Sequence, residues 1–232
     1  MLKFSAVFAW LLLTGITAPA SARKNATFLH RCAGQAYKTE AIIKSRQAGF
    51  VINNKVGSRA LNTMSMSSRA GDYVIGLTAM QSTTKVDFDG HLWQDKETGG
   101  ECFAPRIEIN IEYAPIHVYI GKEFQPDSCA YKVILKHEMN HVRLYQENLP
   151  RVEHIVRTEM AKRFSGTPLY GPSGQVKQML ENELDTVWRP MIKTELAKIE
   201  LDQHLLDSDA ELAKVSRACL GEVQKVLGFR YY

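Results

Sequence analysis

Two histidines and a glutamate in the stretch HEMNH, at positions 137 to 141, have the residue types and the spacing of a zinc site. On an α-helix, side chains four positions apart project from one face, so His137 and His141 can ligate one metal ion. Glu138 lies one position further round, where its carboxylate can reach a water bound to that ion. Zinc lowers the pKa of such a water to about 7, and a carboxylate can then take its proton. The pattern predicts a zinc-dependent peptidase with Glu138 as general base.

A catalytic zinc ion needs a third protein ligand and one open coordination position. The residues after the motif lack the glycine and third histidine of the metzincin extension, so we expect the third ligand to come from later in the chain. We expect His204, because an unpaired inward-facing imidazole would be costly. Its inward position is predicted from a helical stripe shared with three leucines, Leu201, Leu205 and Leu212. The alternatives are carboxylates on other helical segments: Glu159, Glu181 and Glu183.

A partner for the developing oxyanion would assist peptide hydrolysis. Tyr145 follows His141 by one helical turn, and Tyr170 lies in a later loop. His154 is a third candidate for stabilising the transition state. For all three, a structural or solvent-exposed role is the stronger interpretation.

Before residue 125 the sequence has short apolar runs separated by turn residues, which is typical of strands. The run RIEINIEY, residues 106 to 113, alternates apolar and polar side chains over its whole length and predicts a strand. We expect its isoleucines to pack on the helices. As a further hypothesis, this strand lies at a sheet edge and pairs with the backbone of a substrate.

After residue 125 the apolar period becomes helical. Asp127 and Ser128 are candidate N-caps for a long helix over residues 128 to 164. The glycines and prolines of residues 165 to 174 predict a loop, and a second helical region follows to about residue 226, divided near Pro190. The predicted fold is α+β, with a mostly antiparallel sheet in residues 23 to 125 and long helices in 126 to 232. We expect one zincin-like domain with the metal site on its first long helix.

The N-terminus has the features of a cleavable signal peptide. Lys3 precedes an apolar run, and Ala20, Ser21 and Ala22 form a small-x-small cleavage motif. We therefore expect cleavage after Ala22 and a secreted or periplasmic protein with no stable membrane insertion. A retained membrane anchor is the alternative, although the run is short for a full span.

Export would place the cysteines in an oxidising compartment, where they can form two disulfides whose pairing the sequence leaves open: Cys32, Cys102, Cys129 and Cys219. A zinc–cysteine site is disfavoured because no two cysteines have the short spacing it needs. The formal net charge is +4, without a concentrated basic stripe, which argues against a nucleic acid partner. We expect the partner to be a peptide or protein substrate.

The order of Cys102, the strand RIEINIEY, Pro115, the HEMNH helix and a late histidine resembles a bacterial family of secreted proteins of unknown function that are predicted to be zinc-dependent proteases. The resemblance covers residues 45 to 210. It implies that the two histidines of the motif are ligands, that its glutamate is the catalytic base and that His204 is the late ligand. The sequence departs from the family pattern there, since the family tends to have an aspartate several residues before the late histidine and a glycine after it, whereas Asp202 is two before and a leucine follows.

Two other functions fit the same residues. The first is an exported, non-catalytic binding protein with a structural zinc ion or none, which presents its helical half to a partner. A structural site would fill all four coordination positions with protein ligands. The second is a cell-envelope hydrolase that acts on peptidoglycan peptides.

Overall fold

The computed structural model describes residues 20 to 34, 37 to 65 and 73 to 228. In chain order, its elements are α1 (Ala20–Ala33), β1 (Glu40–Gln47), β2 (Phe50–Asn53), α2 (Ser58–Met64), β3 (Gly76–Ala79), β4 (Ser82–Asp95), β5 (Gly100–Tyr113), β6 (Ile116–Ile120), α3 (Cys129–Arg163), β7 (Leu169–Pro172), α4 (Val176–Glu183), a π-helical segment (Leu184–Trp188), α5 (Arg189–Leu206) and α6 (Asp209–Val226). The predicted signal peptide lies outside these residues, except that Ala20, Ser21 and Ala22 begin α1.

The protein is α+β, as predicted, and its sheets are mixed. In one sheet β5 is central, with β1 parallel on one side and β4 antiparallel on the other, and β7 also pairs with β5. In the other sheet β6 is central, between parallel β2 and antiparallel β3. Three of the five strand pairings among the described residues are antiparallel, but β1 and β2 pair in parallel, which the sequence did not predict. Turn residues reveal hairpins such as β4–β5, but they do not reveal that an earlier strand returns to pair in parallel.

The two sheets continue one another end to end. The backbone N–H of Ala48 donates to the carbonyl of Tyr113 over 3.2 Å, and that of Ile116 donates to Gly49 over 2.9 Å. On the other side the N–H of Ala114 donates to Gln81 over 2.9 Å. These bonds continue the backbone hydrogen bonding from the strands of one sheet to those of the other, so that β3 and β4 lie along one continuous side.

The run RIEINIEY forms the second half of β5 and packs against the helices as expected. Ile107, Ile109 and Ile111 are fully buried and belong to the same core cluster as Val142 and Val156 of α3. The hypothesis that this run is a sheet edge is wrong, because β1 and β4 pair with both sides of it.

The long helix predicted over residues 128 to 164 is α3, and it begins at the predicted cap. The Ser128 hydroxyl accepts a hydrogen bond from the Tyr131 N–H over 3.1 Å. The predicted loop after it contains the short strand β7, which pairs with the start of β5. The expected division near Pro190 is a π-helical segment directly before α5. A proline ring clashes with the carbonyl four residues earlier in a regular α-helix, and the wider turn relieves that clash.

Two disulfides connect distant elements, as predicted. Cys32 of α1 bonds to Cys102 of β5, and Cys129 at the start of α3 bonds to Cys219. Cys219 lies in a non-helical break within α6. In the described part of the chain, no helix has the length and apolar character needed to cross a bilayer.

Candidate metal centre

The two histidines of the motif point their ring nitrogens at one place. His137 and His141 lie one turn apart on α3, and both are buried, at 7% and 6% exposure. Their ring centroids are 5.0 Å apart, and their Nε2 atoms are 3.3 Å apart. The helix therefore brings two imidazole nitrogens within reach of one ion, as the i, i+4 spacing predicts.

A carboxylate from the end of α5 lies beside the two imidazole nitrogens and forms a three-residue group with them. Oδ1 of Asp207 lies 3.0 Å from Nε2 of His137 and 3.1 Å from Nε2 of His141. Asp207 is the first residue after α5, and its backbone N–H still donates to the carbonyl of His204. Two imidazole nitrogens and one carboxylate oxygen are a donor set that zinc accepts.

Gln203 fixes the orientation of one imidazole. Its side-chain N–H donates to the backbone carbonyl of His141 over 3.2 Å, so its oxygen is the end that faces the ring. That oxygen accepts from Nδ1 of His141 over 2.6 Å. The proton of neutral His141 is thus on Nδ1, and the lone pair of Nε2 faces the Asp207 carboxylate. The lone pair and the carboxylate oxygen are both acceptors, and a cation between them would interact favourably with each. Two zinc ligands must present their lone pairs to the ion in this way.

The electrostatics of the group also favour a cation. Burial opposes protonation of His141, but the hydrogen bond that the protonated ring donates to Asp207 and the negative charges of Asp207 and Glu138 raise the pKa of His141 above its ordinary value. Burial likewise opposes ionisation of Asp207, yet its hydrogen bonds to both imidazoles hold its pKa well below the usual range. An environment that stabilises a proton on the imidazole and a charge on the carboxylate also attracts a metal ion.

Glu138 is buried directly beside the histidines, at 5% exposure. Burial raises the pKa of Glu138 above its ordinary value, although the Thr78 hydroxyl and the charges of the two histidines act in the opposite direction. The Thr78 hydroxyl donates to Oε2 of Glu138 over 2.7 Å. A carboxyl group with a raised pKa suits a general base that must also return a proton.

Strand β3 approaches Glu138 so closely that only glycine fits at position 76. A Cβ atom on Gly76 would lie 2.8 Å from Cγ2 of Ile134 and would also clash with Oε1 of Glu138. Glycine here is explained by the close approach of the strand to α3. Gly76 and Thr78 thus hold the catalytic candidate from the side of the sheet.

Strands β3 and β4 form a side of the sheet that we call the open edge. Among the described residues, β3 pairs only with β6 and β4 only with β5. The helix-facing positions of the open edge near the site carry small side chains opposite buried residues of β5 and β6: Gly76, Thr78, Ser82 and Thr84. Ser82 and Thr84 border a groove between the sheet and α5, whereas Gly76 and Thr78 lie against α3.

The backbone of the open edge has groups available for pairing. The carbonyl of Gln81 points towards the neighbouring strands, because it accepts a hydrogen bond from the segment that links β5 to β6. The carbonyl of Val86 points outward, where Arg189 of α5 donates to it over 3.4 Å. Successive residues of a strand direct their backbone N–H and C=O groups to alternate sides. The N–H and C=O groups of Ser82 and Thr84 therefore also point away from β5. The edge that can pair with an extended peptide is therefore β3–β4, rather than the RIEINIEY strand.

The structure does not bring His204 to the other two histidines. Its side chain is exposed, and the leucines of its stripe are exposed too: Leu201 at 66% and Leu205 at 74%. The inward-facing prediction is wrong because α5 buries a different face, which carries Ile199 and Gln203. Asp207 extends that face by one more turn. Its spacing of four from Gln203 is a signal that a search for late histidines overlooks.

The other candidates also lie away from the group. Glu159 pairs with Lys162 on the surface of α3, and Glu183 pairs with Arg163. Tyr145 is buried and donates its hydroxyl to Glu200 over 3.0 Å. The remaining three candidates are exposed: His154, Tyr170 and Glu181.

A second set of metal-ligating residue types is occupied by other bonds. Cys129, Cys219 and Glu222 lie close together, but both sulfurs belong to the disulfide. Glu222 accepts a hydrogen bond from the N–H of Ala130 over 3.1 Å and so caps α3.

Comparisons with models of protein families, with curated proteins and with solved structures found no match to this chain. The residues and geometry of the candidate metal centre are therefore the basis for proposing a function.

Proposed function

We propose that the protein is an exported, zinc-dependent peptidase. The observation that carries this proposal is the convergence of Nε2 of His137, Nε2 of His141 and Oδ1 of Asp207, with Glu138 buried beside them. Three protein ligands leave one position on a tetrahedral zinc ion for water or substrate. The two disulfides support export, because such bonds persist in oxidising compartments.

Each residue near the centre has a distinct part in peptide hydrolysis. When bound, zinc supplies a water with a pKa near 7 and polarises the substrate carbonyl. Glu138 accepts the proton of that water and returns it to the leaving amine. The Thr78 hydroxyl holds the Glu138 carboxylate in place, and Gln203 keeps the lone pair of His141 directed at the ion.

The open edge supplies the means of holding a peptide. Its outward-facing backbone groups can form a ladder with an extended substrate without requiring a particular side chain. Because Thr78 contacts Glu138 and lies on this edge, a paired peptide would pass beside the general base. Holding the scissile bond there would reduce the entropic cost of the reaction.

The exposure of the centre favours catalysis over a structural zinc site. A structural zinc ion is enclosed by four protein ligands, whereas this group offers three within the described residues. The Asp207 side chain is 47% exposed, so solvent reaches the centre from that side. We therefore prefer a peptidase to an exported binding protein with structural zinc.

The test combines metal analysis with hydrolysis of a general substrate. Purified protein should contain close to one zinc per chain and should cleave fluorescein-labelled casein in a reaction that a chelator stops and added zinc restores. Glu138→Gln should keep the zinc but lose at least about 100-fold in rate, as loss of a general base does. Protein that binds no zinc, or casein cleavage equal in wild type and Glu138→Gln, would refute the proposal. Parallel assays on purified cell wall would show whether peptidoglycan peptides are the better substrate.

A further inference from the structure

A cavity of about 430 Å³ lies between the open edge and α5. Along α5, the apolar residues of the cavity lining lie between charged residues at the two ends of the lined stretch. The apolar part is formed by Met80, Tyr113, Ile192, Leu196 and Ala197. A cavity of this size and lining accommodates an apolar side chain.

Both walls of the cavity lead directly to the metal centre. On the sheet side, Met80 follows by two residues the Thr78 that hydrogen-bonds Glu138. On the helix side, Glu200 precedes Gln203, the partner of His141, by three residues. The cavity is therefore a continuation of the groove in which we place the substrate.

The charges at the two ends of the cavity differ. Glu200 lies at the end nearer the metal centre and accepts the Tyr145 hydroxyl. Arg189 and Lys193 lie at the far end. The Arg189 charge is neutralised by Asp185, to which its Nε donates over 2.8 Å. The groove is thus acidic near the centre and basic away from it.

Lys193 supplies the available positive charge at the far end. Its helical neighbours three and four positions away are Arg189, Pro190, Leu196 and Ala197, none of which is acidic. Among the described residues, the ion pairs of α5 do not include Lys193. Its ammonium group is free to pair with a carboxylate of a ligand.

Resting on the proposed function, we propose that the groove selects extended peptides with an apolar side chain for the cavity and an acidic side chain for Lys193. A helix rises about 1.5 Å per residue, which puts Leu196 about 10 Å and Lys193 about 15 Å from Gln203. An extended peptide covers about 3.3 Å per residue. If the scissile bond lies level with Gln203, the apolar residue then lies about three positions from it, and the acidic residue about four to five positions from it. Glu200 disfavours an acidic residue closer to the bond.

The experiment uses synthetic quenched-fluorescent peptide pools of mixed sequence, in which one position is fixed as Glu, Ala or Lys. Cleavage sites are located by mass spectrometry, and kcat/KM is compared between pools. Wild type should prefer Glu to Ala about threefold at the outer position, the size of an exposed ion pair. Lys193→Glu should invert the preference to favour Lys. The matched control is Lys198→Glu, on the same helix but outside the cavity lining, and it should keep the wild-type preference.

Binding of the same peptides to the Glu138→Gln variant, measured by fluorescence polarisation, separates the two proposals. Cleavage without the outer acidic preference, or with a preference that Lys193→Glu leaves unchanged, overturns the inference and leaves the peptidase intact. Absence of cleavage by wild type, together with an acidic preference in binding that Lys193→Glu abolishes, supports the groove and refutes the peptidase. Peptides that are neither cleaved nor bound refute both. Circular dichroism confirms that each variant is folded.

Discussion

The proposed contribution of Gln203 to zinc affinity can be tested by replacing Gln203 with leucine, which has a similar volume and no side-chain hydrogen-bonding group. In the wild type, Nδ1 of His141 donates to Gln203 over 2.6 Å, and this bond keeps Nε2 free to ligate. Without zinc, His141 in the variant can move its proton to Nε2 and donate it to Asp207. Zinc binding forces the proton back to Nδ1, which then has no acceptor in a buried site. The penalty therefore falls on the zinc-bound state.

An unsatisfied buried donor costs about 1 to 3 kcal/mol. At about 1.4 kcal/mol for each tenfold change, Gln203→Leu should raise the Kd for zinc by about 5- to 150-fold. This range agrees with the 10- to 100-fold effect typical of residues that orient metal ligands. Competitive titration against a chromophoric chelator gives the Kd directly.

Two further variants make the Gln203 test specific. Gln203→Glu keeps an oxygen acceptor opposite Nδ1 and should bind zinc more tightly than Gln203→Leu. Gln178→Leu removes a surface hydrogen bond to Asn182 on α4 and should leave zinc affinity unchanged. A Kd for Gln203→Leu within twofold of wild type, in a folded protein, would refute the assigned tautomer and with it the role of Gln203.

Three other substitutions test the site and the fold. Asp207→Ala should lower zinc affinity by more than the roughly 100-fold cost of losing a residue that orients a ligand. His204→Ala should keep the zinc affinity of the wild type in the same titration. The opposite result would restore His204 as the third ligand. Gly76→Ala should push Glu138 aside and lower kcat by about 10- to 100-fold, with zinc content unchanged in metal analysis; full activity would contradict the close approach. Burial opposes ionisation of Glu101, but hydrogen bonds from neighbouring amides hold its pKa below 4.5. Its stabilising effect is therefore present above pH 4.5 and lost as pH falls through the lower folded-state pKa. Urea unfolding should show that Glu101→Gln weakens this loss as the pH falls below 4.5, and identical pH profiles would exclude the effect.

The features that sequence predicts well are those set by local periodicity. The helix that carries the motif has its cap at Ser128 and its buried face at helical spacing, so both its start and its orientation follow from nearby residues. The burial of Ile107, Ile109 and Ile111 follows from alternation in the same way. Two disulfides follow from four cysteines and the expectation of export, while their pairing depends on the tertiary fold.

The inward-facing position of His204 was mispredicted because the buried face of α5 depends on what the helix packs against. A stripe of leucines predicts an inward face only if the rest of the helix is polar, and α5 also carries Ile192 and Ile199 on another face. That second face is the one that meets α3, and it brings Gln203 and Asp207 to the histidines. The parallel pairing of β1 was missed for a related reason, since no local signal identifies a partner that follows some sixty residues later.

Because Asp207 ends α5, the packing of that helix determines the negative charge beside the two histidines. As the residue that ends the helix, it places the helix C-terminus, with its partial negative charge, against the two imidazoles. Glu138 adds a second carboxyl group, which is buried, and burial raises its pKa above the ordinary value. A divalent cation would balance the charges of both carboxylates and lower the pKa of Glu138 towards its ordinary value. The arrangement that favours the cation would therefore, once a cation is bound, also keep Glu138 ionised, the state in which a general base accepts a proton.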